Sequence, residues 1–305
     1  MAPFRIAMTG ATGFVGTDVL EQALGEGLRV NALTRRAQPP RARLKWVPGA
    51  LEDAAALDTL VRDADAVIHI AGVVNAPDRA GFEAGNARGT VAVIDAMRRR
   101  GIRGLVHVSS LAAREPELSD YGWSKALAER HVKASALDWT IVRPPAIYGP
   151  NDREMLDLFR MAKRGIMMLP PGGRLSVIHV GDLARLLLAA AKETENSLAH
   201  TYEIDDGTPG GWDHHDFGAA IGRAVGRQVR TLATPRWALG MAARADRMIR
   251  GGKAKLTPDR VDYFCHPDWV VTPEMQPPRR LWMPQIPTED GLKATAAAYR
   301  EKGWI

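Results

Sequence analysis

FRIAMTGATGFVG, from Phe4 to Gly16, is the stretch that decides the architecture of this chain. An apolar strand breaks into Thr9-Gly10-Ala11-Thr12-Gly13-Phe14-Val15-Gly16 and then into a helical run from Val15 to Leu24. Gly10 permits a sharp turn out of the strand. Gly13 lets the backbone close on a pyrophosphate, and Gly16 lets the new helix lie tight on a sheet with its amino end toward the anion. Three glycines alone could form a turn with no ligand, but the strand before them and the helix after them turn the pattern into a dinucleotide site.

The residues that follow repeat the alternation. Strand patterns occur at Arg5–Met8, Arg29–Leu33, Leu44–Val47, Ala66–Ile70, Gly104–Val108 and Thr140–Val142, with helical runs between them, including long ones over Phe82–Arg100 and Tyr121–Ala136. Such alternation builds an α/β, doubly wound parallel sheet of the Rossmann kind. Beyond Pro144, proline, tryptophan and glycine become frequent, and a smaller, interleaved α+β lobe begins. Ser176–Val180 and Tyr202–Ile204 read as strands around a helix over Asp182–Lys192, a section expected to return to the first sheet. The expected division is 1–145 with about 176–205 in the nucleotide-binding domain, and about 146–175 with 206–305 in a substrate lobe.

Composition narrows the class. With 305 residues, 46% hydrophobic and 25% charged, the chain can bury a full core. No apolar stretch approaches the roughly 20 residues a membrane span requires; Leu183 to Ala191 reads as a short buried helix. The first strand starts without a basic-then-apolar leader, so a cytoplasmic location is expected. Cys265 is the only cysteine, which excludes an internal disulfide framework and a Cys-based metal cluster and suggests a buried inert thiol. The net charge of +6 is carried by arginines and lysines without aromatic interleaving, so no nucleic-acid partner is expected. The densest basic run places Arg244, Arg247, Arg250, Lys253 and Lys255 beside Trp237, Leu239, Met241, Met248 and Ile249. It reads as a mobile basic flap or a solvated helix face, with membrane or partner docking as the alternative.

Candidate chemistry sits downstream of the fifth strand, where Ser109 and Ser110 precede Tyr121-Gly122-Trp123-Ser124-Lys125. Tyr121 and Lys125 are four apart and share one helix face. A phenol with a pKa of about 10 becomes useful at neutral pH once a cation is fixed beside it, and Lys125 provides that cation. Tyr121 could then exchange a proton with a substrate oxygen that Ser110 also holds. An isolated Tyr-x-x-x-Lys would be an ordinary surface pair; here it follows a phosphate cradle.

Together these segments resemble the extended branch of the short-chain dehydrogenase/reductase superfamily, the NAD(P)-dependent epimerase/dehydratase family. TGATGFVG is similar to its cofactor loop, IHIAG (Ile68 to Gly72) to its fourth-strand motif, NARGT (Asn86 to Thr90) to its helix motif, and HVSS and YGWSK to its active site. RPPAIYGP (Arg143 to Pro150) and VIHVGDLA (Val177 to Ala184) resemble the motifs that open the substrate lobe and return to the sheet. The resemblance implies that Ser110, Tyr121 and Lys125 are catalytic and that Lys125 also holds the nicotinamide ribose. It further implies that Thr12, Phe14, Val15, Leu51, Ala71, Gly72 and Val73 line the cofactor, with Pro144 and Ile147 beside the nicotinamide ring, and that Trp123 and Ala146 face substrate. A homodimer through the two long helices is also implied.

The second strand bears on which dinucleotide binds. Relatives that prefer NAD carry an acid where this chain has Thr34, and here the sequence continues Arg35-Arg36. A guanidinium there can fork onto a 2′-phosphate, favouring NADP(H) with NAD(H) as the alternative; the arginines could also be solvated loop residues. The adenine-contacting Asp after the third strand is replaced by Ala50. Nucleotide-sugar enzymes of this branch place an Asn where Ala146 stands and an Arg where Leu175 stands; Arg174, one residue earlier, could compensate, although a one-residue shift in a strand points the side chain to the opposite face. A missing diphosphate handle is therefore expected. The expectation is an NADP(H)-dependent oxidoreductase interconverting a carbonyl and an alcohol on a small, apolar substrate bordered by Trp123, Ile147, Trp212 and Trp237, as in reductase-type members. A nucleotide-sugar epimerase/dehydratase and a non-catalytic NADP(H)-binding sensor or assembly protein are the alternatives. Each tryptophan is read first as packing, His179 as a core imidazole, and Asp213 as the cap of a helix entering His214-His215; no metal site is expected.

Overall fold

The structure is a computed structural model that describes residues 3–193, 198–251 and 257–305; Lys253 and Lys255 lie outside the described residues. Strands β1 (Arg5–Thr9), β2 (Arg29–Thr34), β3 (Leu44–Pro48), β4 (Ala66–His69), β5 (Gly104–Val108) and β6 (Asp138–Arg143) fall where the apolar runs place them. Between them run α1 (Phe14–Gly25), α2 (Ala54–Val61), α3 (Arg79–Phe82), a π-helical turn (Glu83–Arg88), α4 (Gly89–Arg100) and α5 (Asp120–Lys133). The chain continues through β7 (Ala146–Tyr148), α6 (Leu156–Lys163), β8 (Ile166–Leu169), β9 (Arg174–Leu175), β10 (Val177–His179), α7 (Val180–Lys192) and β11 (His200–Glu203). It ends with β12 (Trp212–Asp213), α8 (His214–Val225), β13 (Arg230–Ala233), α9 (Arg236–Arg250), α10 (Pro258–Phe264), β14 (Asp268–Trp269) and α11 (Thr288–Glu301).

Two compact units emerge. The first gathers the described residues of Met1–Arg143, Leu183–Glu203 and Met275–Met283. Its sheet has seven parallel strands in the order β11-β6-β5-β4-β1-β2-β3, with helices between them. Because successive side chains alternate between faces, Ala7, Val67, Leu105 and Ile141 enter one core with Leu57 and Leu60 of α2, Val93 and Met97 of α4 and Val132 of α5. Ile6, Met8, Ile68, Val106 and Val142 are equally buried on the other side, as a sheet covered on both faces requires.

The second unit gathers Pro144–Asp182, Ile204–Glu274 and Pro284–Ile305, again for the described residues. It is α+β: β7 pairs β10, β8 pairs β13, and β9 joins β12 and β14. Its core is built by Tyr148, Phe159, Met167, Leu169, Val177, Phe217, Ile221, Leu292 and Tyr299.

Several expectations are corrected. Val177–His179 does not return to the main sheet; it pairs with β7, and β11 takes the place beside β6. The run Phe82–Arg100 is not one α-helix, because it starts at Arg79 under an Asp78 cap and widens into the π turn. The helix expected over Tyr121–Ala136 stops at Lys133, since Ala136 has φ of 56°, outside the helical region. Cys265 is half-buried rather than buried, and burial pushes its thiol pKa up. The Asp213 cap is present: its Oδ1 accepts from the His215 N–H at 2.7 Å. Trp212 packs at the edge of the second core, whereas Trp237 is 71% exposed and does not serve packing.

Candidate active site

In a sheet of this order a ligand sits where the winding reverses, between β1 and β4. Thr9 and His69, the last residues of those strands, are register partners. The chain leaves β1 at Gly10 with φ of 76°, and a Cβ there would stand 2.8 Å from the Ala71 nitrogen. A Cβ at Gly16 would fall 2.0 Å from the Gly10 carbonyl oxygen, so only glycine allows α1 to start so close to the turn. Gly13 caps α1 without a side-chain bond, the first turn holds no acid, and Thr12 and Gly13 are exposed. The first N–H groups and the positive end of the helix dipole are thus presented to an anion. Gly72 is exposed, and a Cβ there would press on Asn86 Oδ1 at 2.7 Å and stand 3.9 Å from Lys125 Nζ. A cradle whose floor tolerates no Cβ, ending in an uncapped helix, fits a dinucleotide.

Beyond β2, Thr34 Oγ1 donates to the Arg36 carbonyl at 2.7 Å and accepts from the Arg36 N–H at 3.3 Å. That local turn buries Thr34 and leaves the side chains of Arg35 and Arg36 exposed. Leu51 lies against the start of α4, where a Cβ on Gly89 would come within 2.6 Å of it.

Ser119 caps α5 by accepting from the Gly122 N–H at 3.0 Å. Gly122 lets α5 press against the turn after β5, since a Cβ there would lie 2.6 Å from the Ala112 carbonyl oxygen. Ser110 opens that turn, and its Oγ accepts from the Ala112 N–H at 3.2 Å, which leaves the hydroxyl able to donate. Tyr121 is half-buried with its ring 6.1 Å from that of Phe82, and the Arg79 guanidinium lies 3.8 Å above the Trp123 ring. One turn on from Tyr121, Lys125 is 5% exposed and its Nζ donates to the Val108 carbonyl at 2.7 Å. Burial lowers the Lys125 pKa to about 8, against a smaller opposing pull from Glu129. Even so, the ammonium form prevails at pH 7.

Several residues around these were not identified from the sequence as site residues. Asn86, in the π turn, accepts from the Val73 N–H at 2.8 Å and donates to the Val73 carbonyl at 3.0 Å and to Ser124 Oγ at 2.9 Å. Its signal was an asparagine, a poor helix former, in the middle of a helical run. His69 is buried, and burial together with the nearby Lys125 charge lowers its pKa to about 3, so the ring is neutral. Thr90 Oγ1 spends its hydrogen on the Asn86 carbonyl and therefore accepts from His69 Nε2, which leaves Nδ1 to accept from Thr9 Oγ1 at 2.6 Å. Thr9 Oγ1 in turn accepts from the Ala71 N–H. This chain of hydrogen bonds fixes the turn that carries Ala71 and Gly72. Below Ser110, Ser109 Oγ donates to Glu129, which Arg143 grips with two bonds of 2.8 and 2.7 Å while also reaching Glu203 at 3.2 Å. Burial would raise the Glu129 pKa, but Arg143 and Ser109 hold it below the usual carboxylate value.

The remaining expected residues stand in the second unit. Pro144 is buried, and Ala146 and Ile147 are half-buried on β7 opposite Val177 and Ile178. Arg174 closes its guanidinium on the Gly210 and Gly211 carbonyls at 2.5 and 2.8 Å. Among the described residues, no group of three or more His, Cys, Asp or Glu side chains could hold a metal ion.

Residues 10–194 match a family described as NAD(P)H-binding. The chain is 33% identical to the ceramide reductase of Caulobacter vibrioides over 98% of its own length and 96% of that protein's. It is 24% identical to the UDP-glucose 4-epimerase of Vibrio cholerae, over 97% and 96% of the two chains. Among solved structures, the Bordetella bronchiseptica enzyme WbmG in complex with NAD and UDP shares the fold, with a TM-score of 0.74 at 17% identity over 99% of this chain and 97% of that one. With its glycine cradle, its Ser-Tyr-Lys spacing and this breadth of similarity, the chain belongs to the NAD(P)H-binding extended short-chain dehydrogenase/reductases.

Proposed function

We propose that the protein reduces a ketone on a long-chain amide lipid with NADPH, through a proton relay of Ser110, Tyr121 and Lys125. The observation that carries this reading is the buried Lys125 ammonium, pinned to the last residue of β5, two residues before Ser110, and placed one turn from Tyr121. When bound, the nicotinamide supplies the hydride that goes to the carbonyl carbon. Ser110 donates a hydrogen bond to the carbonyl oxygen, and Tyr121 gives that oxygen its phenolic proton as negative charge develops there. Lys125 stabilises the phenolate left behind. In the reverse direction the phenolate takes the alcohol proton.

The exposed Arg35 and Arg36 support NADP(H) over NAD(H), as donors for a 2′-phosphate. The substrate class is supported by similarity to a ceramide reductase over almost the whole of both chains. A nucleotide-sugar substrate is disfavoured, because Ala146 has no donor for a diphosphate and the Arg174 fork is taken up by backbone carbonyls.

The test is NADPH oxidation in the presence of a detergent-solubilised long-chain N-acyl amino ketone, with the Tyr121→Phe variant alongside. The reading expects turnover by the wild type and a loss of at least about a hundredfold in kcat for the variant at unchanged NADPH affinity. Equal rates in the two proteins would rule out the relay.

A further inference from the structure

Ten large apolar side chains are conspicuously exposed among the described residues, and seven of them lie in two stretches of the second unit. Ile166 and Met168 project from β8, and Leu232 of β13 is the register partner of Met168. Two residues after β13 ends, α9 begins, exposing Trp237, Met241, Met248 and Ile249 at 71, 61, 88 and 82%. Positions 237, 241 and 248 are spaced four and seven apart, so they form one stripe on the helix. Ala243, on the opposite side, is fully buried and anchors α9 to its own unit.

Along the sequence the charge of the segment that carries this stripe is one-sided, with Arg236 paired to Asp262 of α10. From Arg227 to Arg250 the sequence has six arginines, one aspartate and no lysine or glutamate, a net +5. The whole chain carries +6, so this segment of 24 residues holds nearly all of the excess. The aspartate, Asp246, pairs with Arg250 at 3.2 Å, and Arg244 is exposed beside the stripe. A second copy of the chain is a poor occupant, since a two-fold contact would bring the arginines of one protomer against those of the other. The fitting occupant is apolar just beneath an anionic surface.

We propose that α9, with the adjoining β8–β13 ribbon, docks the protein on the surface of a bilayer containing anionic lipids. Trp237, Met241, Met248 and Ile249 enter the boundary between head groups and acyl chains, and the arginines pair with lipid phosphates. A 15-residue helix is about 22 Å long and lies in the plane of such a surface. Among the described residues no helix is long and apolar enough to cross a membrane, so the contact is peripheral. Preferring a bilayer over an acidic protein rests in part on the lipid-substrate reading, because a hydrophobic amide would be drawn from the membrane.

The test is flotation of the full-length protein with vesicles of phosphatidylcholine alone or mixed with phosphatidylglycerol, without cofactor or substrate. The wild type is expected to float with the anionic vesicles and to be released by high salt. Met241→Glu combined with Met248→Glu should weaken partition by more than about tenfold while NADPH binding and the circular-dichroism spectrum stay unchanged. Failure to float, or equal flotation of the double variant, overturns the proposal. A wild-type dimer in sedimentation velocity that the double variant abolishes, with no vesicle binding, overturns it in favour of a second copy. Floating without turnover of the lipid ketone would leave the docking surface standing and refute the substrate reading; turnover in detergent without floating would do the reverse.

Discussion

Replacing Lys125 by methionine should make the folded protein more stable near neutral pH and catalytically silent. Lys125 holds an ammonium at 5% exposure, and burial lowers its pKa from 10.5 to about 8. At about 1.36 kcal/mol per pKa unit, keeping that charge in the folded state costs about 3 kcal/mol. Methionine removes the cost at similar volume but leaves the Val108 carbonyl without its donor, a loss of about 1–2 kcal/mol. The net expectation is a gain of about 1–2 kcal/mol at pH 7. The sign changes with pH. Between about 8 and 10.5 the unfolded chain holds the Lys125 proton and the folded one has released it, so wild-type stability rises with pH across that window. The variant has no group to titrate there. Urea unfolding at pH 7 and pH 10.5 should show the variant ahead at the first and behind at the second, with NADPH oxidation absent at both. A stability difference independent of pH would refute the argument, because it would mean that the ammonium is not held at a desolvation cost.

Arg35→Ala should weaken NADPH by about tenfold or more and leave NADH nearly unchanged in fluorescence titrations, since a lost charge-assisted bond to a phosphate is worth about 1.5–3 kcal/mol; equal losses for both cofactors would show that Arg35 does not read the 2′-phosphate. Arg143→Met should cost about 3–5 kcal/mol in urea unfolding by removing the guanidinium that hydrogen-bonds two buried carboxylates, with most of the loss recovered when Glu129→Gln and Glu203→Gln are added; a change below about 1 kcal/mol would mean that the network carries no stability.

The central sheet was legible because a parallel strand covered on both faces must be a continuous apolar run, and each such run became a strand. The cradle was legible because backbone crowding admits only glycine, and glycine shows in a sequence. What escaped depends on partners distant along the chain. Glu203 and Arg143 are register partners on adjacent strands, 60 residues apart, so neither one's sequence neighbours reveal that it is paired. The home of Val177–His179 escaped for a similar reason. Its apolar pattern fits either sheet, and the choice came from β11 lying against β6 while β7 needed a partner. The exposed stripe of α9 was visible as a basic run with apolar residues, but only burial separated Trp237 from the tryptophans that pack.

The π turn is the part that sequence periodicity could least reveal, and it has the widest consequences. One widened turn leaves no trace in a 3.6-residue pattern, yet such turns recur at functional sites. Here Asn86 binds both backbone polar groups of Val73, just past the Gly72 floor, and also Ser124, which lies between Tyr121 and Lys125 on α5. One side chain therefore ties the loop after β4 to the helix carrying the tyrosine and lysine. The Lys125 bond to Val108 ties the same helix to the end of β5, two residues before Ser110. A shift at the cradle floor would strain the Asn86 bonds. Fixed hydrogen bonds thus tie the helix that carries Tyr121 and Lys125 to the glycine floor on one side and to the end of β5 on the other, as a preorganised site requires.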